Sequence, residues 1–146
     1  MGAQLHLFLN HFPVAGMILA TALWIFFRNN PDNRRLVLKL FIVLAVLGLG
    51  TYLSGEPAEE VVEHLQGFSH DAIEAHEEAA VFPLVGMILL ALASVAGLVL
   101  EAKRGLQKWV FPTVLVLSLL TVAMVLRTAK LGGEIRHTEL LQKTEN

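Results

Sequence analysis

Four apolar stretches, Leu5–Phe27, Leu36–Leu53, Ala79–Leu100 and Trp109–Leu126, set the terms on which this chain can fold. Each approaches the roughly 20 helical residues that cross a hydrocarbon core of about 30 Å. Backbone amides inside such a core must find partners within their own segment, so each stretch is read as a helix. Together they occupy over half of the 146 residues, and the mean hydropathy of +0.61 agrees with that share. The expected fold class is an all-α integral membrane protein, a four-transmembrane-helix bundle. A cleaved signal peptide is the competing reading of the first stretch. Met1-Gly2-Ala3-Gln4 offers no cationic n-region, however, and the apolar run is too long for an h-region.

Charge orients the spans. Arg28, Arg34, Arg35 and Lys39 follow the first, and Lys103, Arg104 and Lys108 follow the third, which the positive-inside rule puts in the cytoplasm. The middle connection from Ser54 to Glu78 carries eight acids and neither Lys nor Arg. The expected location is a bacterial inner membrane with both termini periplasmic. Arg127, Lys130, Arg136 and Lys143 break the rule by lying after the last span. They either snorkel to headgroups and pair with the acidic loop, or have a local task. With no cysteine, any cofactor is held by nitrogen or oxygen, and a net charge of −2 excludes nucleic acid as a partner.

The chain repeats itself. FPVAGMIL at 12–19 returns as FPLVGMIL at 82–89, and the same shift of 70 carries His6 onto His76. A weaker echo relates Leu53-Ser54-Gly55-Glu56 to Leu131-Gly132-Gly133-Glu134 at a shift of 78. The two hairpins share orientation, so this is a parallel repeat about an axis along the membrane normal. The chain is read as one membrane domain: repeat one over 1–54, an outer loop over 55–78, repeat two over 79–137 and a tail over 138–146. Within the loop, Pro57 in a first turn with Val61, Val62 and Leu65 on one side predicts a short amphipathic helix on the membrane surface, ended by Gly67. Ser69 is the expected N-cap of a helix that runs on into the third span. Pro13 and Pro83 are expected to kink their helices, and Gly16 and Gly86 to let the first and third spans approach across the axis.

All six histidines fall on the outer side of this topology. His6 and His76, related by the repeat, are expected to face each other, as the two axial ligands of a haem b must. Phe12, Phe82, Gly16 and Gly86 are the expected lining of its slot, with Arg127, Lys130 and Arg136 meeting the propionates. His11 stands about 140° around the helix from His6, so it serves a second site or a hydrogen bond. His137 is a further candidate beside the site. The rival constellation is a zinc, copper or iron ion on His64, His70, His76 and carboxylates. Glu60 and His64, and likewise His70 and Glu74, share a helix face at a spacing of four, and Glu77 and Glu78 follow His76. There is no HExxH and no pair of ExxH motifs on separate spans. A cofactor-free subunit of a larger membrane complex remains the third reading.

His6-Leu-Phe-Leu-Asn-His-Phe-Pro and Leu131-Gly-Gly-Glu-Ile-Arg-His resemble a widespread family of uncharacterised bacterial membrane proteins with four spans. Its members typically show a histidine shortly before His-Phe-Pro in the first helix and a Gly-Gly motif after the last. The resemblance carries over His6, His11, Pro13, Gly132, Gly133 and His137. Members are similar to modules joined to cytochrome c or Rieske domains, which implies redox company. The leading expectation is an electron-transfer or binding protein rather than a stand-alone enzyme. It would hold a bis-histidine haem near the periplasmic face and exchange electrons with a periplasmic cytochrome, a quinone or a respiratory-complex subunit. A homodimer is a further expectation.

Overall fold

The computed structural model describes residues 2–62, 70–100 and 107–136. Five helices follow in order: α1 (Gly2–Phe26), α2 (Pro31–Leu53), α3 (Gly55–Val62), α4 (His70–Leu100) and α5 (Gln107–Arg136). Four of them, α1, α2, α4 and α5, are long and apolar enough to cross a bilayer. α2 outruns its apolar stretch because its polar first turn is capped rather than left open. At α2 the Asn30 side chain accepts from the Asn33 amide at 3.1 Å, and Pro31 takes the first helical position, where its missing N–H leaves no orphan. Ser54 ends α2, and α3 begins immediately afterwards at Gly55, with Pro57 in its first turn. The expected end of α3 at Gly67 and the expected cap at Ser69 lie outside the described residues.

Contacts run between α1 and α2, α2 and α4, α4 and α5, and α5 and α1. The four long helices therefore form a ring in which α1 and α4 are diagonal. Short hairpin connections make chain neighbours pack side by side, and the two hairpins then close on each other. That corrects one expectation: Gly16 and Gly86 do not bring the first and third spans together. A Cβ on Gly16 would run into Leu44 of α2, and one on Gly86 would meet the Thr121 hydroxyl of α5 at 2.8 Å. Each glycine serves its own hairpin.

Burial follows the repeat. Pro13, Met17 and Ala20 are buried in α1, and their counterparts at a shift of 70, Pro83, Met87 and Leu90, are buried in α4. Between α2 and α5 the matching register is 77. Val37, Phe41, Leu44 and Gly48 are buried, and so are Val114, Ser118, Thr121 and Val125. The sequence echo at 78 was one residue out, because Ser54-Gly55 and Gly132-Gly133 align two ways and only packing chooses. The core centres on Met17, Trp24, Leu38, Phe41, Met87 and Leu90. Trp24 is fully buried, stacks on Phe111 with ring centres 5.4 Å apart, and donates its indole N–H to the Phe111 carbonyl at 3.2 Å. The buried hydroxyls of Ser94 and Thr121 are satisfied within their own helices, by Leu90 O and Leu117 O, whereas the buried Thr21 hydroxyl has no partner among the described residues.

Candidate functional site

At the end of the bundle where α1 enters and α5 leaves, the diagonal helices α1 and α4 bring His6 and His76 to a ring-centre separation of 6.4 Å, with planes at 86°. The two rings are anchored alike. His6 Nδ1 lies 3.1 Å from the Thr51 carbonyl, and His76 Nδ1 lies 3.0 Å from the Thr128 carbonyl. A carbonyl only accepts, so in both rings Nδ1 carries the proton and donates it, and Nε2 keeps its lone pair. Thr51 and Thr128 are the register-77 pair, so the repeat reproduces the anchors as well as the imidazoles.

Small residues flank both rings. A Cβ on Gly55 would stand 3.8 Å from His6 Cε1, and one on Gly132 only 3.0 Å from His76 Cε1. At Gly132 anything larger than hydrogen would press on the imidazole. Gly133, beside it, faces nothing among the described residues within 4 Å. The two halves differ in their further partners. The Ser54 hydroxyl donates to the Thr51 carbonyl at 2.7 Å, and its oxygen accepts from His6 Nδ1 at 3.0 Å. In the second half the Thr128 hydroxyl donates to the Ala79 carbonyl at 3.1 Å. Ala79 is four residues before Pro83, so this is the carbonyl that the missing proline N–H leaves without a helical partner. Thr128 thus ties α5 to α4 twice, once to the helix backbone and once to the histidine.

Of the remaining residues singled out in the sequence, the structure gathers few around this pair. Phe12 and Phe82 are 46% and 54% exposed and face away from the bundle, so they do not line a slot. An apolar ring next to the proline is as stable against lipid as against protein, which is why pattern alone misplaced them. Gly16 and Gly86 pack inside the hairpins, as described above. His11 is exposed and donates Nδ1–H to the Leu7 carbonyl of its own helix at 2.6 Å, apart from His6. Arg127 is exposed, and Lys130 pairs with Glu134 at 3.4 Å. His64, His137 and the Arg136 side chain lie outside the described residues.

Glu60, His70, Glu74 and Glu77 are exposed, and among the described residues no three of His, Asp and Glu gather as a metal-ligand set. Thr51, Ser54, Gly55 and Thr128 were not foreseen. The available signal was the Thr51/Thr128 match at a shift of 77, masked by the stronger-looking echo at 78.

A family model described as "Predicted membrane protein (DUF2231)" matches residues 2–143, and the chain belongs to that family. With its four apolar helices, it sits in a lipid bilayer. No curated protein and no solved structure matches the chain.

Proposed function

We propose that this member of the DUF2231 family is a haem b-binding membrane protein in which His6 and His76 are the two axial ligands. The observation that carries the reading is the ring separation of 6.4 Å between two imidazoles that both keep Nε2 free. With metal–nitrogen bonds of about 2 Å and about 1.2 Å from nitrogen to ring centre, two imidazoles that turned Nε2 toward one iron between them would stand about 6.4 Å apart. A second argument is the donor set. Structural zinc needs four protein ligands and catalytic zinc three, whereas haem brings four nitrogens and asks the protein for two. Among the described residues His6 and His76 have no third ligating side chain beside them.

When bound, haem supplies one-electron chemistry, and the chain's residues do the rest. The Thr51 and Thr128 carbonyls hold each imidazole in one tautomer and raise its basicity, as second-shell acceptors do for metal-bound histidine. Gly55 and Gly132 keep side chains off the ring flanks. Arg127, one residue before Thr128, and Arg136 are the cations assigned to the propionates. The basic connections assign the histidine end to the periplasmic side of a bacterial inner membrane. The electron partner is then a periplasmic cytochrome, a quinone or a respiratory-complex subunit. A single site at one face does not carry electrons through a core of about 30 Å by itself.

The test is the absorption spectrum of the purified full chain, oxidised and then reduced with dithionite. A Soret band that sharpens on reduction, with an α band, is expected, and His6→Ala and His76→Ala are each expected to abolish the six-coordinate spectrum. A chain purified from haem-replete cells with no Soret band, and a stoichiometric metal ion in its place, would refute the reading. A spectrum that survives both substitutions would refute the axial assignment alone.

A further inference from the structure

At the end of the bundle away from the histidines the two copies diverge. Leu23, Trp24, Phe26 and Phe27 in the first correspond, at a shift of 70, to Ala93, Ser94, Ala96 and Gly97 in the second. In the first copy Trp24 is buried and Leu23 and Phe27 are half-buried, so these three side chains fill space beside the helix, while Phe26 is exposed. In the second copy the same place is a groove of about 160 Å³ between α4 and α5, lined by Ala93, Ala96, Gly97, Trp109, Val110 and Thr113 among others. Ala96, Trp109 and Thr113 are exposed, so the groove opens away from the core, toward lipid. At its mouth Trp109 is 63% exposed, and Lys108 holds its ammonium group 5.9 Å from the indole centre.

We infer that this groove binds one acyl chain of an anionic phospholipid, with Lys108 at the phosphate. Its volume is close to that of a roughly 150 Å³ apolar cavity that takes up benzene, so it accommodates about six carbons of a chain. The wall is apolar and has no place for a headgroup, whereas Trp109 is the kind of ring that sits at headgroup depth. Lys108 supplies the charge complement, as basic positions beside membrane helices do for anionic lipid. The site belongs to the second hairpin only, because the first has aromatic residues where the second has alanine and glycine. It is independent of the haem reading.

The experiment reconstitutes the full chain in vesicles of phosphatidylcholine with added phosphatidylglycerol, one lipid at a time brominated on its acyl chains, and reads quenching of tryptophan fluorescence. One lysine near a membrane surface favours the anionic lipid about fivefold in apparent affinity, and that preference is expected for the unaltered chain. Lys108→Gln is expected to bring the ratio to about one. Ala96→Phe, which places a ring on the wall of the groove, is expected to remove the extra quenching by either lipid. Equal quenching by both lipids in the unaltered chain would overturn the inference, and so would a preference that survives Lys108→Gln. A Trp109 shielded from every brominated lipid by a second copy of the chain would also overturn it. Lys108 is exposed, so its substitution leaves packing intact and decides the matter even if Ala96→Phe fails to fold.

Discussion

Gly132 and Gly133 are adjacent, belong to the same helix and look interchangeable in sequence, yet alanine is expected to act oppositely at the two. In a helix, alanine is favoured over glycine by about 1 kcal/mol, and at Gly133 nothing among the described residues lies within 4 Å of the added methyl group. Gly133→Ala is therefore expected to stabilise the protein by up to that amount. At Gly132 the same methyl would sit 3.0 Å from His76 Cε1 and 3.2 Å from Nδ1. Carbon atoms rest about 3.5 to 4.0 Å apart, so the imidazole must retreat by roughly half an ångström or more. It is not free to do so, because Nδ1 is already 3.0 Å from the Thr128 carbonyl and a retreat strains that bond.

Overpacking of this kind costs about 1 to 3 kcal/mol. Set against the helix preference, Gly132→Ala is expected to lie between neutral and about 2 kcal/mol destabilised. The quantity to measure is the difference between the two variants, about 1 to 3 kcal/mol, because the propensity term cancels from it. Thermal denaturation of both proteins in the same detergent, at one scan rate, gives that difference in sign and size. Ligand-field changes at a bound haem should accompany Gly132→Ala only. Equal denaturation midpoints for the two variants would mean that His76 does not lie against Gly132 and would refute the geometry.

Three other outcomes follow from the same packing. Thr128→Val leaves the Ala79 carbonyl without a donor and is expected to cost about 1 to 3 kcal/mol, whereas Thr51→Val removes only a bond to the Leu47 carbonyl of its own helix and should cost less. Denaturation of the pair measures the gap. Ser54→Ala removes an acceptor from His6 Nδ1 while the Thr51 carbonyl remains, so a loss of about 1 kcal/mol is expected, with His6 held less firmly and His76 unaffected. The two imidazoles should separate in the nuclear magnetic resonance spectrum of ring-labelled protein. Trp24→Ala deletes a fully buried ring and its N–H bond, and should destabilise by about 3 to 5 kcal/mol in a denaturation series.

The four spans and the His6–His76 pairing were legible because both rest on coarse signals. Hydrocarbon thickness fixes span length, and a repeat of eight residues needs no knowledge of packing to be found. The lining of the site was not legible for a physical reason. In a bilayer, apolar residues are stable on either side of a helix, so Phe12 and Phe82 gave no sign of whether they face lipid or protein. The same holds for glycine. Gly16 and Gly132 are alike in sequence, yet one admits Leu44 and the other an imidazole, a difference that depends on which helix lies opposite. The anchors were hidden more deeply still. The Thr51 and Thr128 carbonyls are backbone atoms, which any residue would offer, and their selection comes from a register one residue away from the visible echo.

Duplication explains why a site with two imidazoles arises at the bundle axis rather than on either hairpin alone. One copy supplies a histidine held to the backbone of its partner helix, a unit complete in its hydrogen bonds except for Nε2. A second copy turned about the membrane normal brings an equivalent unit to the diagonal position, where the ring centres stand 6.4 Å apart. The two copies differ in what surrounds the pair. Ser54 supports one ring, Thr128 caps a proline-freed carbonyl beside the other, and the far ends of the hairpins have exchanged aromatic residues for a groove. The carbonyl anchors, 3.1 and 3.0 Å from their imidazoles, have not diverged. Exchanging His6 for a residue that fills the same space but has no lone pair at the Nε2 position, as in His6→Phe, separates ligation from packing. The bundle should stay folded by circular dichroism while losing the six-coordinate haem spectrum, whereas a packing role predicts no spectral consequence.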